Sequence, residues 1–337
     1  MKRITFLIGN GFDVNVGLDT TYGKFYEYYI TQHPEDMLAK DIGKHYENWS
    51  DLEQGLGEFT AKISKNQKEE FFRSQALLEE KLMEYLKCQM ERVDILGHED
   101  IIAENMKTSI THFFDSFAKL QKKDIVDLIN STQQNIEYSF VSFNYTDILD
   151  RCVNLMHKMY SRPIAQHFVG DSTYGHSLGG VLHIHGTVES EHVLGVNDIE
   201  QIANKAFQET SLDRQLLIKS ETNARYGQNK VLEMQSVIDE SIIVCIFGMS
   251  LGSTDKMWWE YVLKWLQDDD CRRLVVFTYN ANLVERVSKL DLFLSEDHVY
   301  ECLQSYSGIG DKEWNELKRK IYIQHNSNLF DFKVVCE

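Results

Sequence analysis

Short apolar runs alternate along this chain with longer stretches of helical periodicity. Five of the runs have the length and apolar content of buried strands, namely residues 4–8, 138–143, 181–185, 242–248 and 273–279. Near-continuous apolar strands that alternate with helices are typical of a parallel sheet covered on both faces. The pattern therefore predicts an α/β protein with an open parallel sheet. The run at 192–196 is a candidate for a further strand, and residues 198–240 read as polar and helical.

Helical periodicity dominates between the first two strands. Apolar side chains recur every three or four residues from Lys65 to Asn130, in two stripes flanked by Lys and Glu. The stripes are Leu78, Leu82, Tyr85/Leu86, Met90 and Val93, and then Met106, Ile110, Phe113, Phe114, Phe117 and Leu120. Such stripes are typical of helix-packing faces. We predict a helical lobe over residues 31–130, inserted into a nucleotide-binding core formed by residues 1–30 and 131–337.

Polar residues stand where the predicted strands end. They are Asn10, Asp13, Asn144, Asp147, His185, Ser250, Asp255 and Asn280. The carboxyl ends of parallel strands meet at one edge of a sheet, and ligands of open α/β sheets bind outside that edge. We therefore predict that these residues converge on one cleft.

The first strand runs directly into Gly9-Asn-Gly11, which a helix is expected to follow. Free backbone N–H groups at such a helix start bind anions, most often a nucleotide phosphate. The loop is not a full dinucleotide fingerprint, because Val14 occupies the place of the third glycine. Asp13 would repel a phosphate unless its carboxylate contacts a hydroxyl or amide group. A tight strand-to-helix turn without a ligand is the alternative interpretation.

A second acidic motif, Trp49-Ser-Asp-Leu-Glu53, lies within the helical region. Ser50 followed three residues later by Glu53 has the spacing of a capping box, in which Ser50 begins a helix. The other interpretation is that Asp51 or Glu53 reaches into the site. On that second hypothesis this turn lies over the cleft and Asp51 faces it.

Charge and cysteine content limit the partners and the compartment. The formal net charge of -17 makes duplex nucleic acid and anionic membranes poor partners. The cysteines are scattered without a C-x-x-C pair, so we expect reduced thiols and no zinc ribbon; they are Cys88, Cys152, Cys245, Cys271, Cys302 and Cys336. The apolar run after Lys2 and Arg3 is too short for a signal peptide, and no run approaches the length of a membrane span. We expect a cytoplasmic protein.

Five motifs, taken together, resemble the AbiH family of phage abortive-infection proteins. They are Gly9-Asn-Gly-Phe-Asp13, Trp49-Ser-Asp-Leu-Glu53, Ser142-Phe-Asn-Tyr-Thr146, His183-Ile-His-Gly186 and Phe247-Gly-Met-Ser-Leu-Gly-Ser-Thr-Asp255. The match spans most of the chain and is vaguest in the helical region. The resemblance implies a role in phage defence.

The same positions are similar, more distantly, to the NAD-consuming sirtuin-like fold, which is Rossmann-like. Gly9-Asn-Gly11 with Gly17 follows the glycine spacing of the sirtuin nucleotide loop, and Ser142-Phe-Asn144-Tyr-Thr loosely matches the sirtuin Thr-Gln-Asn-Ile-Asp stretch. His185-Gly186 matches the catalytic histidine, and Gly248-Met-Ser250 matches the phosphate loop. The four zinc cysteines and the Pro-Asp-Phe-Arg segment of deacetylases are missing, so an acyl-lysine groove has no sequence support.

This resemblance implies NAD as the substrate and assigns roles to the residues at the strand ends. The implied catalytic residues are His185 as the base, Asn144 orienting the water or the nicotinamide amide, and Asp147. The implied nucleotide-binding residues are Gly9, Asn10, Gly11, Phe12, Asp13, Gly248, Ser250, Asp255 and Asn280, with Gly9, Gly11 and Ser250 on the pyrophosphate and Asn280 on the adenosine ribose.

The expected function is hydrolysis of NAD with release of nicotinamide, and two alternatives stay open. One is a nucleotide sensor that binds NAD or ADP-ribose without cleaving it. The other is a metal-dependent hydrolase that uses His183 and His185, which lie two residues apart on a predicted strand. A third metal ligand at a defined spacing is not visible, so no metal is expected. A small nucleotide is the expected partner, with a homo-oligomer or a phage-derived trigger as further candidates.

Overall fold

A seven-stranded, mostly parallel sheet forms the centre of the computed structural model, which describes residues 1–161, 163–227, 229–283 and 288–334. Its strands are β1 (Lys2–Ile8), β2 (Ile136–Ser142), β3 (Ala165–Val169), β4 (Ser172–His183), β5 (Ser241–Phe247), β6 (Arg273–Thr278) and β7 (Ile321–His325). The α-helices are α1 (Gly11–Val16), α2 (Tyr22–Gln32), α3 (Met37–Lys44), α4 (Leu52–Phe59), α5 (Lys68–Glu91), α6 (Glu99–Thr111), α7 (Lys119–Ser131), α8 (Ile148–Met159), α9 (Ser211–Leu217), α10 (Lys219–Arg225), α11 (Lys230–Asp239), α12 (Lys256–Gln267), α13 (Lys289–Ser307) and α14 (Asp311–Lys318). The mixed α/β class predicted from the sequence is confirmed.

The order of strands places the N-terminal strand in the middle of the sheet. Across the sheet the order is β3-β4-β2-β1-β5-β6-β7, and only the β3–β4 pair is antiparallel. All five predicted strands are confirmed, with boundaries that differ by one or two residues except for β4, which begins at Ser172 and ends at His183. The predicted strand at 192–196 is wrong, because that segment makes only a single bridge, from Val196 to Ile218.

Alternate residues of the central strand are buried on opposite faces of the sheet. Ile4, Phe6 and Ile8 belong to one apolar core, which also contains residues of α6 and α8. Leu7 belongs to a second core, built with residues of α11 and α12. Successive side chains of a strand point to opposite faces, so both sides of β1 are covered by helices. Thr5 is the one polar residue in the middle of β1. Its hydroxyl forms a hydrogen bond with the Ser241 hydroxyl of β5 at 2.7 Å.

The helical periodicity between the first two strands is confirmed by α5, α6 and α7. Buried residues of α2 to α5 form a third apolar core, whereas Ile102, Met106 and Ile110 of α6 pack in the same core as Phe6 of β1. One member of the second predicted stripe is misplaced: Leu120 is 81% exposed. The stripe is interrupted because the helix ends at Thr111 and a new one begins only at Lys119. The division of the chain at residues 30 and 130 stays a prediction.

The five cysteines among the described residues are free, as predicted, and Cys152 and Cys245 are buried. Cys336 lies outside the described residues. The sirtuin-like identity of the fold and the lack of a zinc ribbon stay predictions.

Two buried histidines link the antiparallel edge of the sheet to its interior. His167 Nε2 lies 2.6 Å from the carbonyl oxygen of Thr132, and His167 Nδ1 lies 2.8 Å from His176 Nε2. His176 Nδ1 lies 2.9 Å from the Tyr138 hydroxyl. A carbonyl oxygen only accepts. With both rings neutral, His167 therefore donates to Thr132, His176 donates to His167, and the Tyr138 hydroxyl donates to His176. A proton added to His176 would leave this chain with one donor too many.

We expect this chain to make the protein less stable in mild acid. Burial and the neighbouring His167 lower the pKa of His176 to about 4 from 6.5. Below pH 6.5, His176 therefore gains a proton in the unfolded chain but stays neutral in the folded protein until about pH 4. Stability present above pH 6.5 should be lost progressively between these values, by up to about 1.4 kcal/mol per pH unit.

The measurement is the free energy of unfolding in urea at several pH values, for wild type and His176→Gln. The variant should have a shallower dependence between pH 6.5 and 4, because the residue that gains a proton on unfolding is gone. His298→Gln, at an exposed position of α13, is the matched control and should keep the wild-type dependence. Equal dependence in wild type and His176→Gln would contradict the prediction.

Candidate functional site

A cavity of about 240 Å³ opens at the carboxyl ends of the central strands. Eight of the residues predicted for the site line it: Gly9, Asn10, Asp13, Asn144, His185, Gly248, Ser250 and Asp255. The helical region contributes the facing wall, which includes Tyr22, Ser50, Asp51, Glu53 and Leu82. Six of the eight strand-end residues predicted to converge therefore line one cavity, whereas Asp147 and Asn280 do not, and the predicted position of the 50–53 turn over the cleft is confirmed.

Four of the predicted site residues lie outside this wall. Phe12 is fully buried and packs against Phe330, with ring centroids 5.6 Å apart. Asp147 precedes α8 and forms an ion pair with Arg151 at 2.8 Å.

Gly11 and Asn280 are the other two. Gly11 borders a separate cavity of about 280 Å³ at the ends of β5 and β6. The side-chain amide of Asn280 donates to the Ser295 hydroxyl of α13 at 3.2 Å, and its N–H donates to Asn326. These contacts hold Asn280 beside α13 and β7, away from the cavity wall.

The loops after β1 and β5 touch each other through their glycines. The N–H of Gly9 donates to the Phe247 carbonyl at 2.9 Å, and the N–H of Gly11 donates to the Gly248 carbonyl at 2.8 Å. A Cβ atom on Gly11 would lie 2.4 Å from the Gly248 Cα, and Gly248 itself has a φ of +67°. The two predicted phosphate-binding amides are therefore already used within the protein. The structure favours the tight-turn interpretation of this loop.

This contact predicts a measurable penalty for a methyl group at Gly248. Gly248→Ala would place its Cβ 2.7 Å from the Gly11 Cα in addition to straining the left-handed backbone. Gly308→Ala is the matched control, because its φ is +65° and no atom lies within 4 Å of the added Cβ. We expect the control to lose about 1 kcal/mol of stability from backbone strain alone. Gly248→Ala should lose about 2–3 kcal/mol, since overpacking adds to the strain. Equal losses in urea unfolding would contradict the backbone contact.

Asp51 both begins a helix and faces the cavity. Its Oδ1 accepts the N–H groups of Glu53 and Gln54, each at 3.0 Å, so Asp51 is the N-cap of α4. The predicted capping box that starts at Ser50 is wrong, because Ser50 has helical backbone angles whereas Asp51 is extended. The Thr254 hydroxyl donates to the second oxygen of Asp51 at 2.7 Å, which connects this turn to the loop after β5.

A buried lysine joins two carboxylates of the cavity wall. Lys219 Nζ lies 2.7 Å from Glu53 Oε2 and 3.3 Å from Asp255 Oδ1. His185 Nε2 lies 3.6 Å from the same Asp255 oxygen. Lys219 begins α10, in a stretch that the sequence marks only as polar and helical, so no signal singled it out. By contrast, Thr146 and Thr254 lie inside the recognised motifs and were available to sequence analysis.

The charges of this group follow from burial and from the lysine. Burial raises the pKa of Glu53 to about 7, although Lys219 opposes the shift. For Asp255 burial acts in the same direction, but Lys219 and His185 outweigh it and hold its pKa below the usual range. Burial and the nearby Lys219 lower the pKa of His185, so its imidazole is neutral at pH 7. Lys219 itself keeps a raised pKa because Asp255 and Glu53 outweigh its burial.

Asp13 is the second carboxyl group of the wall that titrates near neutrality. It is 1% exposed, and burial raises its pKa to about 7. The Thr146 hydroxyl donates to its Oδ2 at 2.8 Å, whereas its Oδ1 has no hydrogen-bond partner. Next to it, the Asn144 side chain donates to the carbonyl of Gly9 at 3.1 Å. His185 likewise has a ring nitrogen, Nδ1, without a partner.

The two histidines of the His-x-His motif do not share a site. β4 ends at His183, so the alternation of a strand does not extend to His185. His183 Nε2 lies 2.7 Å from Asp150 Oδ2, and His183 Nδ1 lies 3.2 Å from the Asn144 carbonyl oxygen. Among the described residues, no three His, Cys, Asp or Glu side chains are grouped so that they could hold a metal ion.

Comparison with known proteins gives one result. A family model described as bacteriophage abortive infection AbiH matches residues 5–277. A comparison with curated proteins found no match. Within the described part of the chain, no helix is long and apolar enough to cross a bilayer. The matched segment covers well over half of the sequence and includes the whole wall of the cavity, and the chain therefore belongs to the AbiH family of phage abortive-infection proteins.

Proposed function

We propose that this abortive-infection protein hydrolyses the N-glycosyl bond of NAD and releases nicotinamide. One observation carries the proposal: two proton-exchanging groups line the same cavity at the strand ends. They are the neutral imidazole of His185, which has an unpaired ring nitrogen, and the buried carboxyl group of Asp13, whose pKa is raised to about 7. Groups that exchange protons near neutrality are those that general acid–base catalysis requires. The phage-defence role follows from the family, whereas the reaction is our proposal.

The charge of the cavity supports the nicotinamide end of NAD as the part that enters. Asp51, Glu53 and Asp255 stand in the wall, and Lys219 is the cation held against two of them. The nicotinamide ring of NAD is a cation, and glycosyl cleavage passes through a state with positive charge on the sugar. An acidic cavity attracts both charges and repels phosphate. In this arrangement the pyrophosphate lies outside the cavity.

The proposed step uses His185 as the base. Its Nε2–H faces the Asp255 carboxylate, which leaves the lone pair of Nδ1 to take a proton. The bond between the ribose C1′ and the ring nitrogen breaks, and its electron pair neutralises the pyridinium. A water oxygen bonds to C1′, and its proton passes to Nδ1. Asp255 then stabilises the imidazolium, and the products are nicotinamide, ADP-ribose and a proton.

The remaining predicted catalytic residues take different parts in this proposal. Asn144 lies beside Asp13 in the wall and would orient the water. Asp147 has no role in the step, because it pairs with Arg151 outside the cavity.

The test is incubation of the purified protein with NAD, with nicotinamide and ADP-ribose measured by chromatography. We expect equimolar release of both products, and loss of cellular NAD during phage infection of cells that carry the protein. Binding of NAD without release under either condition would overturn hydrolysis and identify a nucleotide sensor. If the protein neither binds NAD nor releases nicotinamide, the assignment of NAD itself is overturned.

A further inference from the structure

We propose that the second cavity, at the ends of β5 and β6, forms a docking surface together with exposed apolar side chains of α13. Its occupant is a basic helix of another protein, which places one aromatic side chain in the second cavity. The inference does not rest on the proposed function, because neither His185 nor Asp13 lines the second cavity.

The second cavity is small and uncharged. Its volume is about 280 Å³, and Phe247, Met249 and Phe277 form its apolar part. None of the lining residues within the described part of the chain is charged. Clefts that hold whole small-molecule ligands usually measure about 300–1,000 Å³. This cavity therefore has room for a single ring system, and its lining offers no cation to a phosphate.

The polar side chains around the second cavity already have partners within the protein. They are Asn15 with the Leu329 carbonyl, Thr278 with His325, Asn326 with the backbone of Asn280, and Ser327 with the Leu329 N–H. A nucleobase buried here would bring several polar atoms of its own, and each one left unpaired would be costly. The side chain of Phe, Tyr or Trp carries at most one polar atom, so it suits this lining better.

Three exposed apolar side chains lie on the outward face of α13. Leu290, Phe293 and Leu294 are 65%, 56% and 58% exposed, and their spacing places them on one side of the helix. Val299 and Leu303 are buried on the opposite side. Contiguous exposed apolar patches mark interaction sites.

The second cavity and this face of α13 are neighbours. Tyr279 lines the cavity and is 80% exposed. The next residue, Asn280, donates its side-chain amide to the hydroxyl of Ser295, which follows Leu294 in α13, at 3.2 Å. A helix that anchors a side chain in the cavity is therefore within reach of the apolar face of α13.

Acidic residues continue this face and determine the charge of the partner. Asp297 and Glu301 are exposed on the side of α13 that carries Leu290 and Leu294. Lys318 lies 3.7 Å from Asp297, but such an exposed pair contributes little. In all, α13 has four acids and one lysine. A complementary helix has apolar residues opposite the first half of α13 and lysines or arginines opposite the second.

A second copy of the chain does not meet these requirements. Two α13 helices packed in parallel would bring like charges together, and packed antiparallel they would place acids against apolar side chains. Each copy also carries a net charge of -17, which repels the other. The occupant is therefore a different protein of opposite charge.

The test uses a synthetic amphipathic helix of about three turns, built from leucine and lysine with one tryptophan and a fluorescent label. Fluorescence anisotropy with the full-length protein measures its dissociation constant. Alanine in place of the tryptophan should raise that constant about 10-fold, since buried aromatic anchors dominate small interfaces. Tyr279→Ala and Phe293→Ser should each raise it by a similar factor, and both positions are exposed, so the fold should persist. Phe168→Ser, at a 58% exposed position of β3, is the control and should leave it unchanged.

The possible outcomes distinguish this surface from simple attraction between opposite charges. Equal binding by wild type, Tyr279→Ala and Phe293→Ser would mean that net charge alone attracts the peptide, and would overturn the proposal. Equal binding of a peptide with glutamate in place of every lysine would remove the charge complementarity. No binding at peptide concentrations up to about 1 mM would also overturn it. Adenosine binding that Tyr279→Ala abolishes, without any effect of this variant on the peptide, would make the second cavity a nucleoside site instead.

Discussion

His185→Ala is expected to lower the rate of nicotinamide release by about 10²–10⁴-fold, the usual loss when a general base is removed. The imidazole is buried in the cavity wall, and its unpaired Nδ1 is the atom that accepts the proton of the attacking water in the proposed step. Asn144→Ala should have an effect in the same direction, because the water would lose its orientation. Both residues lie beyond the ends of their strands, so the sheet should remain folded.

The measurement is single-turnover release of nicotinamide at saturating NAD, with thermal unfolding recorded for each variant. His298→Ala is the matched histidine control, because this residue is exposed on α13 and should retain the wild-type rate. Wild-type release by a folded His185→Ala protein would remove His185 from the mechanism. Asp13 would then be the candidate for the general base, and Asp13→Asn tests this in the same assay.

Lys219→Met is expected to destabilise the fold by about 3–5 kcal/mol, the loss typical of removing one partner from a buried ion pair. The ammonium group lies within 3.3 Å of both Glu53 and Asp255, and all three side chains are largely buried. Without it, two carboxylates face each other's charge with little water to screen them. The same substitution should raise the pKa values of both acids.

Urea unfolding at pH 7 checks the magnitude, and the pH dependence checks the cause. In Lys219→Met the loss should shrink as the pH falls toward 5, since protonation removes the unpaired charges. Lys24→Met is the control: its partner Glu27 is exposed, so the change should be within about 0.5 kcal/mol. A loss below about 1 kcal/mol in Lys219→Met, or one independent of pH, would mean that the cluster is not electrostatically coupled.

Four of the five strands that the sequence predicted, β1, β2, β5 and β6, are buried along most of their length, whereas β4 is mostly half-buried or exposed. β1 and β5 are nearly continuous apolar runs, and a run of this kind is stable mainly in the buried interior of a fold. β3 and β7 were missed for a physical reason. Gln166 and Phe168 of β3 are exposed at the edge of the sheet, and β7 ends on half-buried polar residues, so neither has a distinctive pattern.

The site was predictable only as far as it depends on strand ends. Asn144 and His185 follow strands that meet at one edge, and parallel topology alone brings them together. Phe12 and Asp147 were assigned to the site because they belong to the same motifs, yet within a motif neighbouring side chains point in different directions. Phe12 points into the core beside Asp13, which points into the cavity. Lys219 was unpredictable because its partners lie 166 and 36 residues away along the chain.

The central position of β1 has a consequence for the order in which the protein is made. Thr5 of β1 and Ser241 of β5, which hydrogen bond across the middle of the sheet, are 236 residues apart. A ribosome adds roughly 5–20 residues per second, so about 10 to 50 s pass between the synthesis of these two neighbours. During that interval β1 has one edge without a strand, and Gly248 and Asp255 do not yet exist to close the cavity. A nascent chain therefore lacks part of the cavity wall until most of the chain has been synthesised.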